Sequence, residues 1–177
     1  MNRIHEVPVP RDSDIGQYLD GAYFQDAYET RIDSPGLSAL ELHIQVMRQT
    51  PGWVDRLMTL RNRVVSTLFG LKDLGKLAAV HPLKPAADYR VGDRLGIFVI
   101  HSLSDQEVVL TDADRHLDAK VSVRKTGSVD HPTATVSTVV HVHNLLGRLY
   151  MLPVAPVHRL IVPAMLRRLA IGAPRPA

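Results

Sequence analysis

The sequence predicts an α+β fold, an antiparallel sheet wrapped around a long C-terminal helix, and three observations carry that prediction. From Arg115 to Arg124, Leu117, Ala119, Val121 and Val123 alternate with His116, Asp118, Lys120, Ser122 and Arg124. From Thr133 to His143 the alternation returns, with Ala134, Val136, Val140 and Val142 on one side. A period of two describes strands with one dry face. Asn144 then opens a segment, Leu145 to Ala170, too apolar to stand alone in water. The dry face of the sheet is the surface expected to bury it.

The earlier elements follow from local signals. Residues 1–20, punctuated by Pro8, Pro10 and Gly16, are expected to be loosely structured. Ala22 to Ile32, with Tyr23, Phe24, Tyr28 and Thr30, reads as a strand. Asp33-Ser34-Pro35-Gly36 is a turn, and Ser38 with Glu41 forms a capping-box pattern before Leu40, Ile44 and Met47. Thr50-Pro51-Gly52 ends that helix. Val54, Leu57, Met58, Val64, Val65 and Leu68 then recur at helical spacing until Gly70. Residues 71–92, broken by Gly75, Pro82 and Pro85, are expected to be a loop with one short element. Leu95–Ser102 is a strand, Ser104-Asp105-Gln106 a hairpin turn, and Glu107–Thr111 the next strand. Pro153, Pro156 and Pro163 predict a kinked terminal helix.

Strand, two helices, several antiparallel strands and a long last helix make a helix-grip order. It implies one domain over 21–171 and a flexible tail over 172–177. At 177 residues, 45% hydrophobic and 22% charged, the chain has the length and composition of one globular domain. The lack of cysteine rules out disulfides, zinc-thiolate sites and thiol nucleophiles. Charge is uneven: residues 124–177 hold seven basic residues against Asp130, a balance of +6, which leaves −3 for the rest of the total of +3. A basic last helix could meet an anionic ligand or a phospholipid surface, or simply complement the negative end of the helix. The uncharged runs Leu149–Val157 and Leu160–Leu166 are shorter than the roughly 18 residues of a span, and His158 and Arg159 would sit at its middle. A buried helix is therefore expected, with no transmembrane segment. Val7-Pro8-Val9-Pro10 interrupts any signal-like run, so a cytoplasmic location is expected.

Several motifs look familiar together. They are Asp114-Arg115-His116-Leu117-Asp118, then His143-Asn144-Leu145-Leu146-Gly147-Arg148-Leu149-Tyr150, then Pro156-Val157-His158-Arg159-Leu160-Ile161-Val162 and Met165-Leu166-Arg167-Arg168. With Trp53-Val54, Leu60-Arg61-Asn62-Arg63 and Gly92-Asp93-Arg94, in this order from about Tyr23 onward, they resemble domain of unknown function 2867. The resemblance implies a START-like, Bet v 1-like helix-grip (SRPBCC) fold. It also implies that some relatives carry this domain behind an NAD(P)-binding dehydrogenase-like domain. No glycine-rich dinucleotide motif occurs in this chain, and no cofactor is expected.

Candidate chemistry centres on the paired strands. A turn near Ser128-Val129 makes opposed numbers sum to 257, placing Leu117 across from Val140 and Val121 across from Val136. The other face then pairs His116 with His141 and Asp114 with His143. Those residues could hold a transition metal, or they could be a polar cluster on the outer side of the sheet. His116 with Asp118 could act as an acid–base pair if they faced a cavity. Nucleic-acid binding lacks any motif and has few aromatics to support it.

The reading favoured is a small hydrophobic or amphipathic molecule bound between sheet and last helix, in a cavity lined by Leu117, Val121, Val136, Val140, Tyr150, Val154, Val157 and Trp53. The alternatives are a cyclase- or hydrolase-like enzyme using His116 and Asp118, and an accessory partner of a dehydrogenase-like protein. A homodimer is compatible with each.

Overall fold

The computed structural model describes residues 4–33, 36–48, 50–59, 84–128, 131–167 and 169. Its elements in chain order are β1 (His5–Glu6), a 3-10 turn (Ile15–Tyr18), β2 (Phe24–Arg31), α1 (Ala39–Arg48), α2 (52–59) and a second 3-10 turn (Ala86–Asp88). Then come β3 (Arg94–Leu95), β4 (Phe98–Leu103), β5 (Glu107–Ala113), β6 (Leu117–Ser128), β7 (His131–Val142) and α3 (Leu145–Leu166). The seven strands of the described residues form one antiparallel sheet in the order β1-β2-β7-β6-β5-β4-β3. The first long strand therefore pairs with the last, the strands between them in the chain extend the sheet beyond β7, and β1 adds to the free edge of β2.

The capping box is made as the sequence implies. Ser38 Oγ accepts from the Glu41 amide at 3.2 Å, and Glu41 Oε2 accepts from the Ser38 amide at 2.7 Å. The strand expected over 95–102 is cut by Gly96, at φ 64, so Leu95 folds back onto Phe98. A side chain at that φ would be strained, and the glycine permits the reversal. The expected hairpin turn at 104–106 is present, closed by Ser104 and Glu107. The helical spacing at Val64, Val65 and Leu68, the Gly70 stop and the 172–177 tail lie outside the described residues.

The β6–β7 register differs from the one read in the sequence. Opposed numbers sum to 259: Leu117 faces Val142 and Val123 faces Val136. The shift is two residues, so every side chain keeps its face but changes its partner. Ser128 pairs with His131, one position beyond the turn expected at Ser128-Val129.

Two corrections concern what covers the sheet. One face carries α1 and α3, with Tyr28, Ile32, Leu42, Leu110, Val123, Val136 and Leu166 in the main core. The other face is covered by the N-terminal segment expected to be loose. Ile15 is fully buried and Val9 is buried against Ala27, Val109 and Val139. Glu107, itself buried, fixes the segment by accepting from the amides of Asp14 (2.8 Å) and Ile15 (3.3 Å) and the hydroxyl of Ser122 (2.6 Å). Apolar residues on both faces of β5 and β7 explain why a second cover is needed.

The second correction is α3. The sequence predicts a buried helix, yet only Gly147, Met151, Val162, Met165 and Leu166 of it are buried. Leu145 is 71% exposed, Leu149 55%, Leu152 65% and Leu160 66%. By length and composition α3 could cross a bilayer, a property shared by core helices of soluble proteins. A single packing side suffices to hold it: Met151 sits with Phe24 and Val140, while Val162, Met165 and Leu166 join the main core.

Candidate functional site

Asp26 lies in the middle of β2 on the side that faces α3, directly opposite Thr138 of β7. The alternation that turns Phe24 and Tyr28 inward turns Asp26 inward with them. Its side chain is 1% exposed. A buried carboxylate needs a partner, since leaving it unpaired in a dry interior is costly. α3 supplies one. His158 Nδ1 lies 3.0 Å from Asp26 Oδ2, and His158 Nε2 lies 3.5 Å from Thr138 Oγ1. Nδ1–H donating to the carboxylate leaves Nε2 as the acceptor, with only a long contact to the threonine. Asp26 Oδ1, also buried, has no hydrogen-bond partner among the described residues.

The surroundings are apolar and aromatic. Phe24 meets the His158 ring edge-on at 5.6 Å between centroids, and the Arg159 guanidinium lies 5.8 Å from the centre of the Phe24 ring. Phe24, Val140 and Met151 form a buried cluster joined by Leu117, Ala119, Val142, Tyr150, Val154 and Ala155. Tyr28 follows on the same face. Burial, reinforced by the charges of Asp26 and Glu6, raises its phenol above the ordinary value, and Arg159 partly offsets this. A carboxylate, an imidazole, a hydroxyl and a phenol thus lie along one strip of the sheet–helix interface.

The structure gathers Leu117, Val140, Tyr150 and Val154 around this strip. Val121 and Val136 belong to the neighbouring main core, Val157 is half-buried, and Trp53 is 42% exposed. The His116–Asp118 pair does not form. His116 Nε2 accepts from Arg115 at 2.9 Å, and its Nδ1 lies 3.0 Å from Asn144 Nδ2 and 3.2 Å from Asn144 Oδ1. That same amide oxygen caps α3 through the Gly147 amide at 3.1 Å. Asp118 instead meets Thr111 at 3.1 Å and Lys120 at 2.8 Å. Burial pushes its carboxyl up, but the Lys120 hydrogen bond and charge, with Thr111, hold it below the usual range.

The true register re-pairs His116, His141, His143 and Asp114, the residues weighed as a metal set against a plain polar cluster. His141 faces Asp118 and reaches the Asp20 carbonyl at 3.1 Å, and the main chain of His143 pairs with that of His116. Asp114 Oδ1 accepts from the amides of His116 (2.6 Å) and Leu117 (2.9 Å), a turn-closing role. Among the described residues no three His, Asp or Glu side chains are placed to share an ion.

Sequence reasoning missed the Asp26–His158 pair. The signal available was an acid at an inward position between two aromatics, together with a histidine in an otherwise apolar helix. No curated protein and no solved structure matches the chain. Residues 18–165, which include both members of the pair, match the family described as protein of unknown function (DUF2867), and the chain belongs to that family.

Proposed function

We propose that this chain is a helix-grip domain that binds a small amphipathic molecule between the sheet and α3. The observation that carries this reading is Asp26, a carboxylate held in the interior with one oxygen accepting from His158 and the other without a partner among the described residues. Interiors rarely retain an unsatisfied charged oxygen without a use for it. A ligand hydroxyl or amine donating to Oδ1 would satisfy it, and its apolar part would lie against Phe24, Val140, Met151 and Val154. The topology supports the helix-grip assignment, because β2 pairs with β7 and the two are followed by the helices that flank such a site. Native mass spectrometry of protein purified from its own host tests the proposal. A retained molecule of a few hundred daltons carrying a hydroxyl or amine is expected. A bare polypeptide mass, with no shift in unfolding temperature on adding host lipid and metabolite extracts, would overturn it.

A second reading is favoured by one feature of the same pair. The carboxylate fixes His158 through Nδ1 and leaves Nε2 weakly engaged, the orientation of a general base. Incubating the released molecule with fresh protein separates the two: an altered mass means catalysis, an unchanged mass means carriage.

A further inference from the structure

α3 has two apolar sides, and the fold uses one. On the outer side Leu145, Leu149, Leu152, Pro156 and Leu160 recur three or four residues apart and form a continuous stripe. The four leucines are each more than half exposed. Scattered exposed leucines need no explanation, but a contiguous stripe along one helix does.

Charge identifies what the stripe faces. Arg148 and Arg159 are exposed on α3, the latter with its guanidinium also 5.8 Å from the Phe24 ring; Arg167 is exposed at the helix C-cap, and Arg168 and Arg175 follow in the sequence. From Leu145 to the last residue there is no Asp or Glu. A second copy laid along the stripe would bring arginines toward arginines with no acid on the helix to receive them. An anionic surface meets both features at once, taking the leucines into its acyl boundary and the guanidiniums at its phosphates.

The helix is suited to lie in that surface and not to pass through it. Proline has no N–H, so Pro153, Pro156 and Pro163 leave the carbonyls of Leu149, Leu152 and Arg159 without their usual helical partners. Hydrocarbon cannot satisfy those carbonyls, whereas water and headgroups at the interface can. The inner side is also committed to the fold, since His158 is held by Asp26.

We infer that the outer face of α3 docks this protein onto the surface of a membrane rich in anionic phospholipid, with the helix parallel to the bilayer plane. This is independent of whether Asp26 and His158 bind a ligand.

Flotation with vesicles of phosphatidylglycerol and phosphatidylcholine, compared with phosphatidylcholine alone, tests it. The parent protein should float with the anionic vesicles and partition at least about tenfold less onto the neutral ones, since each arginine near such a surface contributes roughly fivefold. Leu149→Glu/Leu152→Glu should stay in solution with an unchanged circular dichroism spectrum. Arg148→Glu/Arg167→Glu, which leaves the leucines intact, should lose the preference for anionic lipid. Light scattering on the same samples reports self-association. No flotation on either vesicle, or flotation indifferent to both double variants, would overturn the inference. A dimer that Leu149→Glu/Leu152→Glu dissociates, without vesicle binding, would overturn it in favour of a second copy.

Discussion

His158 reaches back 132 residues to Asp26, and its Nδ1 meets a carboxylate whose side chain is 1% exposed. The contact joins α3 to the first long strand of the sheet, so it serves the fold as well as any ligand. Removing His158 strands the buried Asp26 carboxylate, and His158→Ala should destabilise the protein by about 3 kcal/mol. Asp26→Leu/His158→Leu should recover most of that loss, because apolar residues of similar volume tolerate such a site. Urea unfolding of the parent and both variants checks the pair of expectations. A single variant as stable as the parent would mean the contact is not formed in solution.

Glu107 anchors the N-terminal cover by accepting from the amides of Asp14 and Ile15, and accepts a third hydrogen bond from Ser122 of β6, all in a buried setting. Glu107→Ala leaves two amides and a hydroxyl without their acceptor, and should cost about 3 kcal/mol. Trypsin cleavage at the exposed Arg11 should accelerate in the variant. Unchanged cleavage and stability would show that residues 5–20 do not depend on this carboxylate.

His43, buried in α1, should make stability fall with acid. Burial lowers its pKa from 6.5 to about 4, and its Nε2 has no partner among the described residues. The folded-state value is the lower one, so the unfolded chain binds the proton first. Stability from this group is full above about pH 6.5, declines as pH falls toward 4, and changes little below that. The loss by pH 4 should be on the order of 3 kcal/mol. Urea midpoints of the parent and His43→Leu between pH 7 and 4 check it: the parent should lose stability more steeply than the variant, and parallel curves would contradict the assignment.

Asn144 caps α3 through the Gly147 amide and ties it to the β5–β6 turn through His116 and the Arg115 carbonyl. Asn144→Ala should cost about 1–2 kcal/mol. Gly147 is equally constrained, since a Cβ there would collide with the His116 carbonyl and the Val142 side chain. Gly147→Ala should therefore destabilise the protein although alanine favours helix, and a stabilised variant would contradict this packing.

Period and caps were legible in the sequence; pairings that depend on distant residues were not. Ser38 and Glu41 are three apart, so their box could be read directly. The parity of β6 and β7 was readable because Leu117 through Val123 and Ala134 through Val142 alternate. Their register was not, because a slip of two residues leaves every side chain on its own face. That slip dissolved the expected His116–His141 pair. The N-terminal cover was hidden because Val109 and Val139 look like ordinary strand residues until their second face needs burial. Apolarity alone cannot say whether one side of α3 or all of its sides will be covered. Asp26 and His158 share no local pattern at all, and only the β2–β7 pairing brings them together.

The most direct measurement is native mass spectrometry of the parent and Asp26→Leu/His158→Leu, both purified from the natural host under identical conditions. The double variant should be folded and should lose the small molecule that the parent retains. A variant that carries the same molecule at the same occupancy, or a parent that carries none and responds to no host extract, would contradict a binding site built on Asp26 and His158.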